Sequence, residues 1–213
     1  MSEYTVLPLI NSAFQPGEAQ KTVDSFEDKD FREIARAELY YFSGHAEECS
    51  HIAEVYLMSR NTKLKMSACL LYAYSNLTLG RGTASKRALQ EIRICLEKEM
   101  KSPSSKEQQA ICVFAGYMAS VLLHLPTDEL PDPNTYIVAL PHGIRLFSAY
   151  VTAHMAYLNG EYGRALGICE SALLFRNGIY PISMIYLYCM IAMCQINLKH
   201  QQEAKEVLMT AWN

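Results

Sequence analysis

Apolar residues recur along most of this chain at the three- and four-residue spacing of amphipathic helices, and nowhere in the strict alternation of a strand. Residues 1–27, with Pro8, Pro16 and Gly17, read as an irregular lead-in. A cap at Asp28 or Asp30 opens a first helix with Phe31, Ile34, Ala35, Leu39 and Phe42 along one side, and Ser43-Gly44 ends it. A second, from about Ala46 to Met58, turns Cys49, Ile52, Ala53 and Tyr56 inward. Asn61 or Thr62 starts a third through Leu64, Ala68, Leu71, Tyr72 and Leu77, stopped by Leu79-Gly80-Arg81-Gly82. Thr83 or Ser85 is the expected cap of a fourth helix with Ala88, Ile92, Cys95 and Leu96. A fifth runs from roughly Lys106 to Leu123, carrying Ile111, Phe114, Ala115, Met118 and Leu122.

The pattern then breaks. Leu125–Pro141 holds four prolines and is not one uninterrupted helix. It is either an irregular connector standing where one helix of a pair would be, or a binding lid. A sixth helix begins at His142 and passes through Ile144, Phe147, Val151, His154 and Leu158. After Asn159-Gly160, a seventh carries Tyr162, Ala165, Leu166, Cys169, Ala172 and Leu173. The eighth follows Pro181 with Ile182, Ile185, Tyr186, Cys189, Ala192, Met193 and Ile196, and 201–213 forms the last.

Two of these helices share a signature. Ala165 and Ala204 are 39 positions apart, and so are Ala172 and Ala211, each pair following a helix and a tight turn. Cys49 and Ala88 repeat the same interval. Small residues at a fixed period predict an all-α fold, an α-α superhelix of stacked antiparallel helical hairpins in a single domain over 1–213. The last helix still presents Val207, Leu208, Ala211 and Trp212, where an array normally closes with a polar cap. From this we expect a fragment truncated within 201–213, or dimerisation through that helix.

Composition narrows the class. Half of the 213 residues are hydrophobic and 19% are charged, which excludes a disordered chain. Fourteen Tyr and ten Met against one Trp suit adaptable helix faces. Seven cysteines, without paired spacing and mostly on apolar stripes, together with no signal peptide, predict a reducing cytoplasmic setting. No stretch is long and apolar enough to span a bilayer, so no membrane association is expected. The net charge of −3 gives no reason to expect nucleic acid. It is uneven, however: residues 1–59 hold four Lys/Arg against eleven Asp/Glu, and 60–101 hold nine against three. That basic block (Arg60, Lys63, Lys65, Arg81, Lys86, Arg87, Arg93, Lys98 and Lys101) either receives an acidic partner or is a solvated face beside the acidic segment.

Candidate chemistry is sparse. Gly80–Lys86 has the look of a phosphate loop but neither its spacing nor a preceding strand, so an interhelical turn is expected. His45, Cys49 and His51 do not share a helix face, and no second cluster completes a metal site. A Cys169–His154 nucleophile pair is open to facing helices, but Cys169 lies on an apolar stripe that blunts a thiol. We expect no catalytic residue, cofactor or metal. The better candidate is a recognition surface anchored by aromatic and Arg side chains: Arg145, Tyr150, Tyr157, Arg164, Arg176 and Tyr186.

The segments LPHGIRLFSAYVTAHMAYLNGEYGRALGICESAL and YPISMIYLYCMIAMCQINLKHQQEAKEVLMTAW resemble the tetratricopeptide-like helical sensor region of bacterial LuxR-type transcription regulators, most clearly over 140–213. The period departs from the usual interval of about 34 residues. The resemblance implies a regulatory domain that senses a protein, peptide or small-molecule effector, with DNA bound by a C-terminal domain lying outside this chain. It implies no catalytic residues. A free-standing scaffold for a protein or peptide is the alternative.

Overall fold

The computed structural model describes residues 16–123, 130–131, 135, 142–174 and 181–212, with the backbone alone at 16–18, 121–122, 142–148 and 181–183. Among the described residues there are ten helices and no strand. They are α1 (Pro16–Asp24), α2 (Lys29–Phe42), α3 (Ala46–Tyr56), α4 (Thr62–Thr78), α5 (Gly82–Lys101), α6 (Lys106–Leu123), α7 (His142–Leu158), α8 (Tyr162–Leu174), α9 (Pro181–Asn197) and α10 (Gln201–Trp212). The chain divides into two compact units, Met1–Leu140 and Pro141–Asn213. Within the first, each helix packs on the next, and α2, α4 and α6 also meet in succession. Within the second, the same holds for α7 through α10, with α7 also against α9.

Four helix pairs (α2–α3, α4–α5, α7–α8 and α9–α10) are joined by one and the same turn. Its pivot lies in the left-handed region: Gly44 (φ 83°), Gly80 (φ 73°), Gly160 (φ 78°) and Lys199 (φ 69°). The pivot N–H donates to the carbonyl three residues back, at Tyr41, Leu77, Tyr157 and Ile196 (3.0–3.1 Å). The next N–H reaches five back, from His45 to Tyr40, Arg81 to Asn76, Glu161 to Ala156 and His200 to Gln195 (2.7–2.9 Å). This is the double hydrogen bond of a Schellman C-cap, which satisfies carbonyls that a helix end leaves bare.

Because the turns are identical, positions counted from the pivot are equivalent. Seven residues before it stand Ala37, Ala73, Ala153 and Ala192; five after it stand Cys49, Ser85, Ala165 and Ala204. All eight are buried. A small residue on each side of the turn lets paired helices approach closely. The register bears out Ala165 with Ala204 but not Cys49 with Ala88. Cys49 is equivalent to Ser85, 36 positions on, so the second pair of helices repeats at a shorter interval than the last.

Several local expectations need correction. The lead-in contains α1, whose pattern is reduced to Ala19 and Val23, both buried, too short a stripe to stand out. Residues 1–15 lie outside the described residues. The caps at Asp28 and Asn61 are present: Asp28 Oδ1 accepts from the N–H groups of Asp30 (2.8 Å) and Phe31 (3.1 Å), and Asn61 Oδ1 from those of Lys63 (3.0 Å) and Leu64 (3.4 Å). Neither Thr83 nor Ser85 caps α5. Arg81 holds the N-cap place without a side-chain bond, and Ser85 is buried. The proline-rich stretch 125–141 falls outside the described residues except for 130–131 and 135.

The largest correction concerns α9. Of the face expected to turn inward, Ala192 is buried, but Ile185, Cys189, Met193 and Ile196 are exposed; the core side is Leu187, Met190, Ile191 and Cys194. Pro181–Asn197 is apolar almost all round, so periodicity alone does not select the face that turns inward. Those four buried side chains join Ala153, Ala156, Ala165 and Cys169 in the core of the second unit. In the first unit the fully buried side chains include Ile34, Met66, Leu70, Leu71, Leu89, Ile92, Ile111 and Met118. Each such burial contributes about 1.5–3 kcal/mol of transfer free energy.

Candidate functional site

On α7, Tyr150, His154 and Tyr157 fall four and three positions apart and so occupy one face. On α9, Tyr186, Cys189, Met193 and Asn197 do the same, and the two helices pack together. The faces are stitched at two points. The rings of Tyr150 and Tyr186 lie with centroids 5.1 Å apart at a 31° tilt, and Asn197 Nδ2 donates to the Tyr157 hydroxyl at 3.0 Å. Between them, the His154 ring stands edge-on to Tyr150, centroids 5.7 Å apart, with its Nδ1 3.2 Å from the Tyr150 hydroxyl. Tyr157 also meets Tyr162 of α8 edge-on at 5.3 Å. The result is a strip about three helical turns long, half-buried, aromatic and polar at once.

Burial pushes the Tyr150 phenol up to about 12, with Tyr186 beside it adding to the rise, and burial also raises Tyr186. Both hydroxyls therefore keep their protons near neutral pH. The strip offers ring faces, a phenolic hydroxyl, an imidazole and the exposed Met193 thioether, a set suited to recognition.

Of the six side chains expected to form a recognition surface, Tyr150, Tyr157 and Tyr186 meet in this strip. Arg164 does not. It lies on α8, exposed, bonded to Glu161 Oε2 at 2.8 Å. The side chain of Arg145 and the whole of Arg176 lie outside the described residues. His154 and Asn197 complete the strip without having been singled out as anchors. Their positions four from Tyr150 and eleven from Tyr186 are the sequence signal that marks the faces.

The basic block is partly absorbed by the first unit. Arg81 pairs with Glu47 at 2.9 Å, Lys65 with Glu91 at 3.0 Å and Lys63 with Glu107 at 2.6 Å. Burial is the largest single influence on the Lys65 ammonium and lowers it, but the Glu91 hydrogen bond and the charges of Glu91, Cys95 and Cys69 together outweigh it, and the net direction is up. Lys86, Arg87, Lys98 and Lys101 remain exposed along α5.

The metal and nucleophile candidates come apart. His45 faces Glu48 at 3.6 Å and His51 faces Glu47 at 3.4 Å, both exposed, while Cys49 is fully buried. Among the described residues, no three His, Cys, Asp or Glu side chains gather where a metal ion could sit. Cys169 is fully buried, and burial pushes its thiol up to about 12, so it carries no thiolate at neutral pH. Gly80–Lys86 forms the α4–α5 turn and the first residues of α5. No described helix is long and apolar enough to cross a membrane.

Comparison with protein-family models, with curated proteins and with solved structures finds no match to this chain.

Proposed function

We propose that this chain is a tetratricopeptide-like helical-repeat module that binds a protein segment or a small effector along the α7–α9 strip and so serves regulation. The observation that carries the reading is the fourfold recurrence of one hairpin, with the same Schellman turn and the same small buried residue on either side of it. Repeated hairpins, stacked as an α-α superhelix, give an extended surface that a ligand can bridge. A ligand that favours one arrangement of hairpins over another shifts the population of that arrangement, and with it any domain attached to the module. The resemblance of residues 140–213 to LuxR-type sensor regions supplies the setting: a cytoplasmic bacterial transcription regulator whose DNA binding resides in a separate domain.

The test is site-specific photo-crosslinking in the native host, with the reactive side chain at Met193 on the strip or at Glu170 on the exposed side of α8. A discrete adduct from Met193 and none from Glu170 is the expected result. Equal labelling from both positions, or from neither, overturns the reading. Retardation of a specific DNA sequence by residues 1–213 alone would contradict the separate-domain setting.

A further inference from the structure

Three of the seven cysteines gather where α4, α5 and α6 pack together: Cys95 lies close enough to both Cys69 and Cys112 to act on their charge. Cys69 and Cys112 are fully buried, whereas Cys95 is half-exposed. The contacts around them decide which two face each other. On the antiparallel pair α5–α6, Glu99 accepts from Gln108 Nε2 at 2.9 Å. The next rung of such a pair lies one turn back on one helix and one turn forward on the other. That rung is Cys95 with Cys112. One further turn along α6, Gly116 touches Leu96 so closely that a Cβ there would collide with the leucine side chain. Cys112 is thus bracketed on its own face by Gln108 and Gly116, which both meet α5. A glycine lets backbones approach this closely, and a disulfide needs its Cα atoms within about 7 Å. Cys69 is placed differently. Lys65 bonds Glu91 at 3.0 Å across the antiparallel α4–α5 pair, and Cys69 lies one turn to one side of that rung while Cys95 lies one turn to the other.

We propose that Cys95 and Cys112 are a redox pair, closing a reversible disulfide between α5 and α6 when the protein meets a hydroperoxide. Cys95, the member that solvent reaches, attacks the peroxide. An S–O bond forms as the O–O bond breaks, and the departing hydroxide leaves with the thiol proton as water. The Lys65 ammonium, which interacts with the Cys95 sulfur, supplies positive charge beside this step. The Cys112 sulfur then attacks the sulfenic acid on Cys95. The S–S bond forms, the S–O bond breaks, and the hydroxyl leaves with the Cys112 proton as a second water. The two sulfurs lose two electrons in all, and the peroxide gains them. Burial pushes the Cys112 thiol up to about 12, so it stays protonated and inert to peroxide, and reacts only with the sulfur held against it. In a reducing compartment such disulfides are transient and sense oxidants. This inference goes beyond the proposed function and does not depend on what binds the α7–α9 strip.

The test treats the full reduced chain with hydrogen peroxide, in a Cys189→Ser background that removes the exposed thiol of the second unit. The remaining thiols are alkylated and the products read by mass spectrometry. The expected result is an intact mass lower by two hydrogen atoms and a linked peptide joining Cys95 to Cys112, both reversed by dithiothreitol. Amide exchange at the α5–α6 junction should slow in the oxidised chain. Cys95→Ser, at a half-exposed position, should abolish the link and leave Cys112 reduced, with unchanged helical circular dichroism. Cys112→Ala should instead carry Cys95 on to the sulfinic acid, since no thiol resolves the sulfenic acid. Should that buried substitution unfold the chain, the linked peptide of the parent still decides the matter. A link from Cys95 to Cys69 or between two chains overturns the proposal. So does sulfinic acid at Cys95 while Cys112 is present, or a Cys95 that peroxide leaves untouched.

Discussion

The pair α2–α3 with α4–α5 and the pair α7–α8 with α9–α10 use the same turn but hold their helices together by different chemistry. In the first unit the helices are cross-tied by polar groups. Arg81–Glu47, Lys65–Glu91 and Lys63–Glu107 bridge separate elements, and Asn76, fully buried on α4, donates to Ser50 of α3 at 2.9 Å. Glu99, at the end of α5, accepts from the Ser104 N–H (2.7 Å), the Ser104 hydroxyl (3.1 Å) and Gln108 Nε2 (2.9 Å). In the second unit, the ion pair among the described residues, Arg164–Glu161, joins two residues of a single turn. Its helices are matched mainly by rings and a small apolar core, with the Asn197–Tyr157 bond as a polar tie between α7 and α9. Polar ties specify register, since each needs its own partner, whereas aromatic and apolar contacts leave register to shape and packing. That contrast supports the proposal that recognition uses the second unit.

Alkaline pH should break both units, the first one sooner. In the folded chain, burial pushes the thiols of Cys49, Cys69, Cys112 and Cys169 up to about 12 from an ordinary value of 9. Between these values the unfolded chain binds fewer protons than the folded one, so stability falls as pH rises. It is fully present below 9. Each thiol removes about 1.4 kcal/mol per pH unit in that window. Three of the four belong to the first unit; in the second, burial also raises the Cys194 thiol, so the balance is three thiols against two. Region-resolved hydrogen exchange between pH 8 and about 10 should show α2–α6 losing protection ahead of α7–α10, after correction for the intrinsic pH dependence of exchange. Replacing Cys49, Cys69 and Cys112 with Ala should flatten that difference.

Truncation of the apolar seam gives the next largest effect. Leu187 is fully buried in the core of the second unit, and Leu187→Ala should cost about 2–5 kcal/mol. Protection should fall in α7–α10 and stay unchanged in α2–α5. A uniform loss along the chain would mean that the two sets of hairpins unfold as one, and the contrast between them would then carry no independent energetics. Removing a polar tie costs less. Glu99→Ala leaves three donors without their acceptor, but Ser104 is exposed and water can replace part of the loss, so about 1–2 kcal/mol is expected. That loss should appear as faster exchange at the α5–α6 junction.

A helix such as α2 was legible because its stripe is one-sided: Phe31, Ile34 and Ala35 are buried as their spacing implies. On α6 the expected Ile111, Phe114, Ala115 and Met118 are buried, but so are Cys112, Val113, Tyr117 and Ala119, so burial there runs all round the helix. The inward face of α9 was not legible, because an apolar residue on every side leaves tertiary packing to choose. The repeat was half legible. Ala165 and Ala204 are chemically alike and stand out, whereas their equivalents Cys49 and Ser85 share only smallness and burial. The clearer marker is a small residue twelve positions ahead of each of these four, across the turn, and it becomes visible only once the pivot is located. The candidate surface was legible as a concentration of tyrosines. Which of them meet was not, since that depends on how α7 lies against α9.

The smallest effect tests whether the four turns are one device. Three pivots are glycine, which adopts a positive φ without penalty; the fourth is Lys199 at φ 69°, where a side chain crowds the neighbouring carbonyl. The Lys199 side chain is exposed, so little packing is lost with it. Lys199→Gly should therefore stabilise the second unit by about 0.5–1 kcal/mol, with Gly160→Ala destabilising it by a similar amount at the equivalent place. Chemical denaturation followed by circular dichroism reads both, and the midpoints should move in opposite directions with an unchanged slope. If Lys199→Gly is neutral or destabilising, the last turn is held by something its hydrogen bonds do not account for. α10 would then be a looser element than α8, despite the matching bonds from Glu161 to Ala156 and from His200 to Gln195.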